Sequence, residues 1–68
     1  MTAVRTIYLL SVGRRWAVKL DDRLETTHEA EAEAVDSAAV LAARLRAEGQ
    51  AAIVLQQTTP SNWRGLDL

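Results

Sequence analysis

The 68 residues contain no cysteine. Neither a disulfide framework nor a thiolate metal site can brace the fold, and no sulfur nucleophile is on offer. Long apolar runs are missing too. The longest near the N-terminus, Ile7-Tyr8-Leu9-Leu10, is too short for a signal-peptide core or a membrane span, which predicts a soluble, cytoplasmic chain. Gly13, Gly49 and Gly65 stand isolated and form no Gly-rich loop of the kind that cradles phosphates. An excess of charge of one sign is also lacking. The net charge is -1 and the pI about 5.7, unlike the strongly basic footprint of a nucleic-acid binder. A chain this short buries only roughly 60% of the surface that it exposes when unfolded. Packing or self-association must therefore supply its stability.

The charges present are unevenly placed. Arg5, Arg14, Arg15, Lys19 and Arg23 outnumber Asp21 and Asp22 in residues 1–24, whereas Glu25, Glu29, Glu31, Glu33 and Asp36 make residues 25–36 purely acidic apart from His28. Such a layout suits a basic hairpin followed by a helix whose acidic first turn complements the macrodipole, and it can also steer a charged partner or a second copy.

Thr6–Val12 is rich in β-branched, aromatic and aliphatic residues, and Trp16-Ala17-Val18-Lys19-Leu20 alternates large apolar with small or charged residues. Both read as strands. A two-residue type II′ turn at Gly13-Arg14 pairs Leu9 with Val18 and Ile7 with Leu20. A three-residue loop, Gly13-Arg14-Arg15, shifts the pairing by one and moves Tyr8, Leu10 and Val12 to the face of Trp16, Val18 and Leu20. Either register leaves large apolar residues on the second face, where a solvated sheet should be polar.

Thr26-Thr27-His28-Glu29 has the form of a capping box that opens a helix. The Ala-rich stretch from Ala30 to about Glu48 holds neither proline nor glycine, and Gly49 stands where a left-handed residue would end it. Ala30, Ala34, Ala38, Leu41, Ala42 and Leu45 fall on one stripe, narrow enough for the helix to lie close to the sheet. Ala51–Gln57 reads as a third strand ended by Thr59-Pro60. The expectation is an α+β domain, ββαβ, over residues 1–60. One helix packs on one face of a three-stranded, mainly antiparallel sheet whose last strand lies beside, and antiparallel to, the first. Residues 61–68 form a tail whose Trp63, Leu66 and Leu68 are costly to leave in water. The tail is expected to cover the open sheet face, add a strand, or reach across to another copy as a dimer arm.

The segments Trp16-Ala17-Val18-Lys19 and Thr26-x-x-Glu29-Ala30, followed by an Ala-rich helix, a glycine and an aliphatic strand, resemble a family of small bacterial ββαβ proteins of uncharacterised function. The same pattern is similar to the small sheet-and-helix domain of HicB-type antitoxins, a partial RNase H-like fold without nuclease residues. The resemblance spans roughly residues 6–57 and implies a sheet-and-helix fold. The chain departs from the first pattern in its longer helix and Trp63-containing tail, and from the second in lacking a longer sheet and an appended DNA-binding domain.

Catalytic chemistry finds little purchase. The single histidine, His28, sits among Glu25, Glu29 and Glu31, and Glu29 and Glu33 would share a helical face at i, i+4. Solvated carboxylates at a helix start account for these, and Ser11, Ser37 and Ser61 have no activating context. The reading is therefore a non-catalytic interaction module without cofactor or metal. It is expected to be homodimeric and to bind an unidentified protein through a sheet face or edge, with Tyr8, Leu10, Val12, Val40, Trp63, Leu66 and Leu68 as contact residues. The alternatives are a nucleic-acid-binding module whose hairpin residues Arg14, Arg15, Lys19 and Arg23 touch phosphates, and a phage- or plasmid-type inhibitor, anti-CRISPR-like or antitoxin-like.

Overall fold

A computed structural model describes residues 4–68. Strands β1 (Val4–Val12), β2 (Arg15–Leu20) and β3 (Arg23–His28) form a meander, helix α1 (Glu31–Ala47) crosses over, and β4 (Ala51–Thr59) and β5 (Asn62–Leu66) form a closing hairpin. The sheet is five-stranded in the order β3-β2-β1-β4-β5. The α+β class with one helix is as expected; the strand count is five rather than three.

The first hairpin takes the two-residue register, Ile7 opposite Leu20 and Leu9 opposite Val18. Gly13 sits at φ +62° while Arg14 has ordinary negative φ, the combination a type II′ turn requires. The second turn, Asp21-Asp22, uses an aspartate at φ 55°, one of the few side chains that tolerate this region. Asp21 also repairs the ladder at this end. Its amide donates to the Thr6 carbonyl at 2.7 Å, and its carboxylate accepts from the Thr6 amide at 3.1 Å and from Arg5 Nε at 2.8 Å.

Strand β3 replaces the expected capping box. Thr26 pairs with Val18, Thr27 with Ala17 and His28 with Trp16. The helix begins at Glu31 after an Ala30 cap that makes no side-chain hydrogen bond. The two β-branched threonines and the alternation of side chains against β2 favour extended backbone, and Thr26 Oγ1 meets His28 Nε2 at 3.0 Å and Ser37 Oγ at 3.2 Å instead of an amide in a first helical turn. Glu29 thus lies outside α1, so it does not share a helical face with Glu33. The extra strand also reverses one expected direction. With three strands rather than two before the crossover, β4 runs parallel to β1, Ile7 beside Val54 and Leu9 beside Gln56, and not antiparallel to it. The edges are accordingly β3 and β5.

The C-terminus of α1 is as the sequence indicates. Gly49 has φ +84°, its amide donates to the Arg46 carbonyl, and the Gln50 amide donates to that of Leu45, the paired bonds of a Schellman motif. Ala34, Ala38 and Ala42 are fully buried with Leu45 nearly so, and they pack on Ile7, Leu9, Val18, Leu20, Ala52 and Val54. Because strand side chains alternate, this core uses only one face of the sheet. Gln56 reaches into the same layer, buried but satisfied by donating to Glu31 Oε1 at 2.7 Å.

Candidate functional site

The opposite face of the sheet has no layer over it among the described residues. By alternation from the buried set, it carries Val4, Tyr8, Leu10 and Val12 on β1, Arg15, Ala17 and Lys19 on β2, Leu24 and Thr27 on β3, Ile53, Leu55 and Gln57 on β4, and Trp63 and Gly65 on β5. Among the described residues the exposed large hydrophobic side chains are Val4, Val12, Leu24, Val40, Ile53 and Trp63; all except Val40 stand on this face. Tyr8 and Trp63 meet edge-to-face, ring centroids 5.3 Å apart, reaching across β4 at the level where Gly65, opposite Leu55, presents no side chain. Such a pair adds about 0.5–1.5 kcal/mol beyond its buried area and gives the face a rigid aromatic feature.

The expected contact residues divide between faces. Tyr8, Leu10, Val12 and Trp63 belong to the uncovered face. Leu66 and Leu68 do not: both pack against the helix-side core, with the Leu68 carbonyl accepting from Arg46 Nη1 and Arg46 Nη2 bonded to the Ala52 carbonyl at 2.8 Å. In the single chain, the tail residues Asn62–Leu66 pair with β4 as β5. Val40 stands on α1, 61% exposed, beside a cleft of about 340 Å³ bounded by Val18, Glu25, Thr26, Asp36, Leu41 and Arg44. Ile53 and Leu55 were not among the expected contacts, and neither was Leu24. The signal for Ile53 and Leu55 lay in the parallel register of β4, which follows only once β3, the strand that carries Leu24, is recognised.

The basic residues are not gathered. Arg14 lies in the β1–β2 turn and Arg15 opens β2, whereas Arg23 opens β3 beyond the far end of β2, a separation of roughly 17 Å at the usual strand rise. Arg15 donates to Thr27 Oγ1 at 3.2 Å and lies 3.8 Å from Glu29, Arg23 pairs with Glu25 at 2.9 Å, and Lys19 stands half-buried between them on the uncovered face. Among the described residues no group of three His, Cys, Asp or Glu side chains comes together to hold a metal ion.

The edges are poor docking lines by comparison. β3 is six residues long and polar, with Glu25 inserted as a bulge where its register against β2 shifts; β5 has five residues. Short, charged and bulged edges are how sheets resist strand addition. No helix among the described residues is long and apolar enough to cross a membrane. No protein-family model matches this chain, and no curated protein or solved structure matches it either.

Proposed function

We propose that this chain is a non-catalytic interaction module of the cytoplasm that works by presenting the uncovered sheet face to a protein. The observation carrying this reading is the segregation of Val4, Val12, Leu24, Ile53 and Trp63, all exposed, onto the face opposite the helix. Contiguous apolar patches of several hundred Å² are uncommon on monomers unless they are used for contact. The dispersal of Arg14, Arg15, Lys19 and Arg23 supports a protein rather than a nucleic acid as the occupant, since phosphate binding gains from convergent cations.

The test is recovery of bound proteins, untagged copies of the chain included, by the tagged protein from host extract after nuclease treatment, in parallel with Leu10→Lys/Leu55→Lys and Arg14→Ala/Arg15→Ala variants. Proteins retained by the wild type and the arginine variant but lost from the lysine variant support the reading. Recovery indifferent to the lysines, or abolished by nuclease and by loss of the arginines, contradicts it.

A further inference from the structure

Resting on that reading of the uncovered face, we infer that its occupant is a second copy of the chain, stacked face to face about a two-fold axis running along β1. Area, twist, side-chain size and charge each bear on this choice.

Five strands spaced about 4.8 Å apart span roughly 24 Å, and a mean strand length of about seven residues at about 3.3 Å per residue gives roughly 23 Å. The projected face is then about 550 Å², and two copies remove about 1,100 Å² from water. This clears the roughly 1,000 Å² expected of a specific interface. A sheet of the same hand and degree of twist fits over a twisted sheet best, and aligned sheets stack at about -30° with layers about 10 Å apart; a second copy has the required twist by identity.

The distribution of side chains selects the axis. On β1, β4 and β5 the face carries Tyr8, Leu10, Ile53, Leu55 and Trp63 with Gly65, whereas β2 presents Ala17, 5% exposed, between Arg15 and Lys19, and β3 presents Thr27 and Leu24. With β1 on the axis, β4 of one copy lies over β2 of the other and β5 over β3, so by the register Trp63 is laid over Thr27 and Gly65 over Leu24, large over small in each case, while Gln57 faces Ala17 and Leu55 faces the stem of Lys19. The competing axis, across the strands, stacks β2 on β2 and brings Lys19 and Arg15 of both copies together. Like charges facing each other in a closed interface cost several-fold to many-fold in affinity, so the axis along β1 is favoured. The outer hydrogen-bonding edges of β3 and β5 point sideways, away from this interface, consistent with the bulge and charges of β3.

The experiment is sedimentation velocity of the full chain between 1 and 200 µM at about 0.15 M salt, on wild type and Leu10→Lys, with far-UV circular dichroism confirming that both are folded. The expected result is a dimer for wild type and a weakening of at least about 100-fold for the lysine variant. Because the chain lacks cysteine, orientation is read from introduced thiols. Leu10→Cys cross-links to itself, and differently tagged Thr27→Cys and Trp63→Cys chains cross-link to each other, whereas Lys19→Cys does not cross-link to Lys19→Cys. A wild type monomeric at 200 µM, or a dimer indifferent to Leu10→Lys, overturns the inference; efficient Lys19→Cys self-linkage overturns the axis. A monomer that still loses a recovered protein on Leu10→Lys/Leu55→Lys refutes the second copy alone, while a monomer whose recoveries ignore those lysines refutes the interaction reading as well.

Discussion

Replacement of Ala38 by leucine adds three carbons at a position with no solvent exposure, in the middle of the alanine stripe that seats α1 on Ile7, Leu9 and Val18. Additional methylenes in a packed interior cost typically 1–3 kcal/mol, and three of them between a helix and a sheet belong at the upper end, about 3 kcal/mol. At about 0.05–0.15 kcal/mol per residue, a chain of this size has only about 3–10 kcal/mol in hand. For so small a domain, 3 kcal/mol lowers Tm by about 12–24 °C. Urea titration followed by far-UV circular dichroism measures the loss directly, provided the slope with denaturant is unchanged. Val40→Leu, on the same helix but 61% exposed, is the matched control and should stay within about 0.5 kcal/mol. If Ala38→Leu is as stable as wild type, the helix does not lie close on the sheet through its alanine stripe.

Two further perturbations probe the ends of the sheet. Arg46→Ala removes donors to the carbonyls of Ala52 and Leu68 and should cost about 1–2 kcal/mol, with faster amide exchange over residues 66–68 than over α1; unchanged exchange there would mean that Arg46 does not hold the tail. The Asp21 carboxyl is held below the ordinary carboxylate value by the Thr6 amide first and the Arg5 guanidinium second. Because its folded pKa is depressed, the associated stability is present above its unfolded pKa of about 3.9 and is lost as pH falls through the folded value. Asp21→Asn should therefore flatten the acid limb of stability against pH while leaving the curve above pH 5 parallel to wild type, and an acid limb that stays as steep would refute this role.

The elements legible in the sequence were those with a strong period or a special backbone position. The Ala34-Ala38-Ala42-Leu45 stripe gave α1, Gly49 its end, and Gly13 one of the two registers weighed for the first hairpin. Strand β3 was not legible because Arg23-Leu24-Glu25-Thr26-Thr27-His28 offers one large apolar residue and a bulge, and Thr26-x-x-Glu29 mimics a helix start. The turn residue Asp21 and the adjacent threonines were the available signal. Everything that depends on counting strands before the crossover followed from that omission, including the direction of β4 and the placing of Ile53 and Leu55 beside Tyr8. The surplus of apolar residues on a second face was legible from β1 alone; which residues complete that face required the register of β4 and β5.

Whether the open face of the sheet is covered in solution can be read from methyl NMR of the wild-type chain with a soluble paramagnetic agent. In the single chain Ile53 is 46% exposed and Val40 61%, so an isolated molecule would show comparable broadening of both. With that face covered, the Val40 methyls broaden strongly, while those of Ile53, Leu10 and Leu55 are almost completely protected at concentrations where the dimer forms. Equal broadening at Val40 and Ile53 at the highest concentration would contradict it.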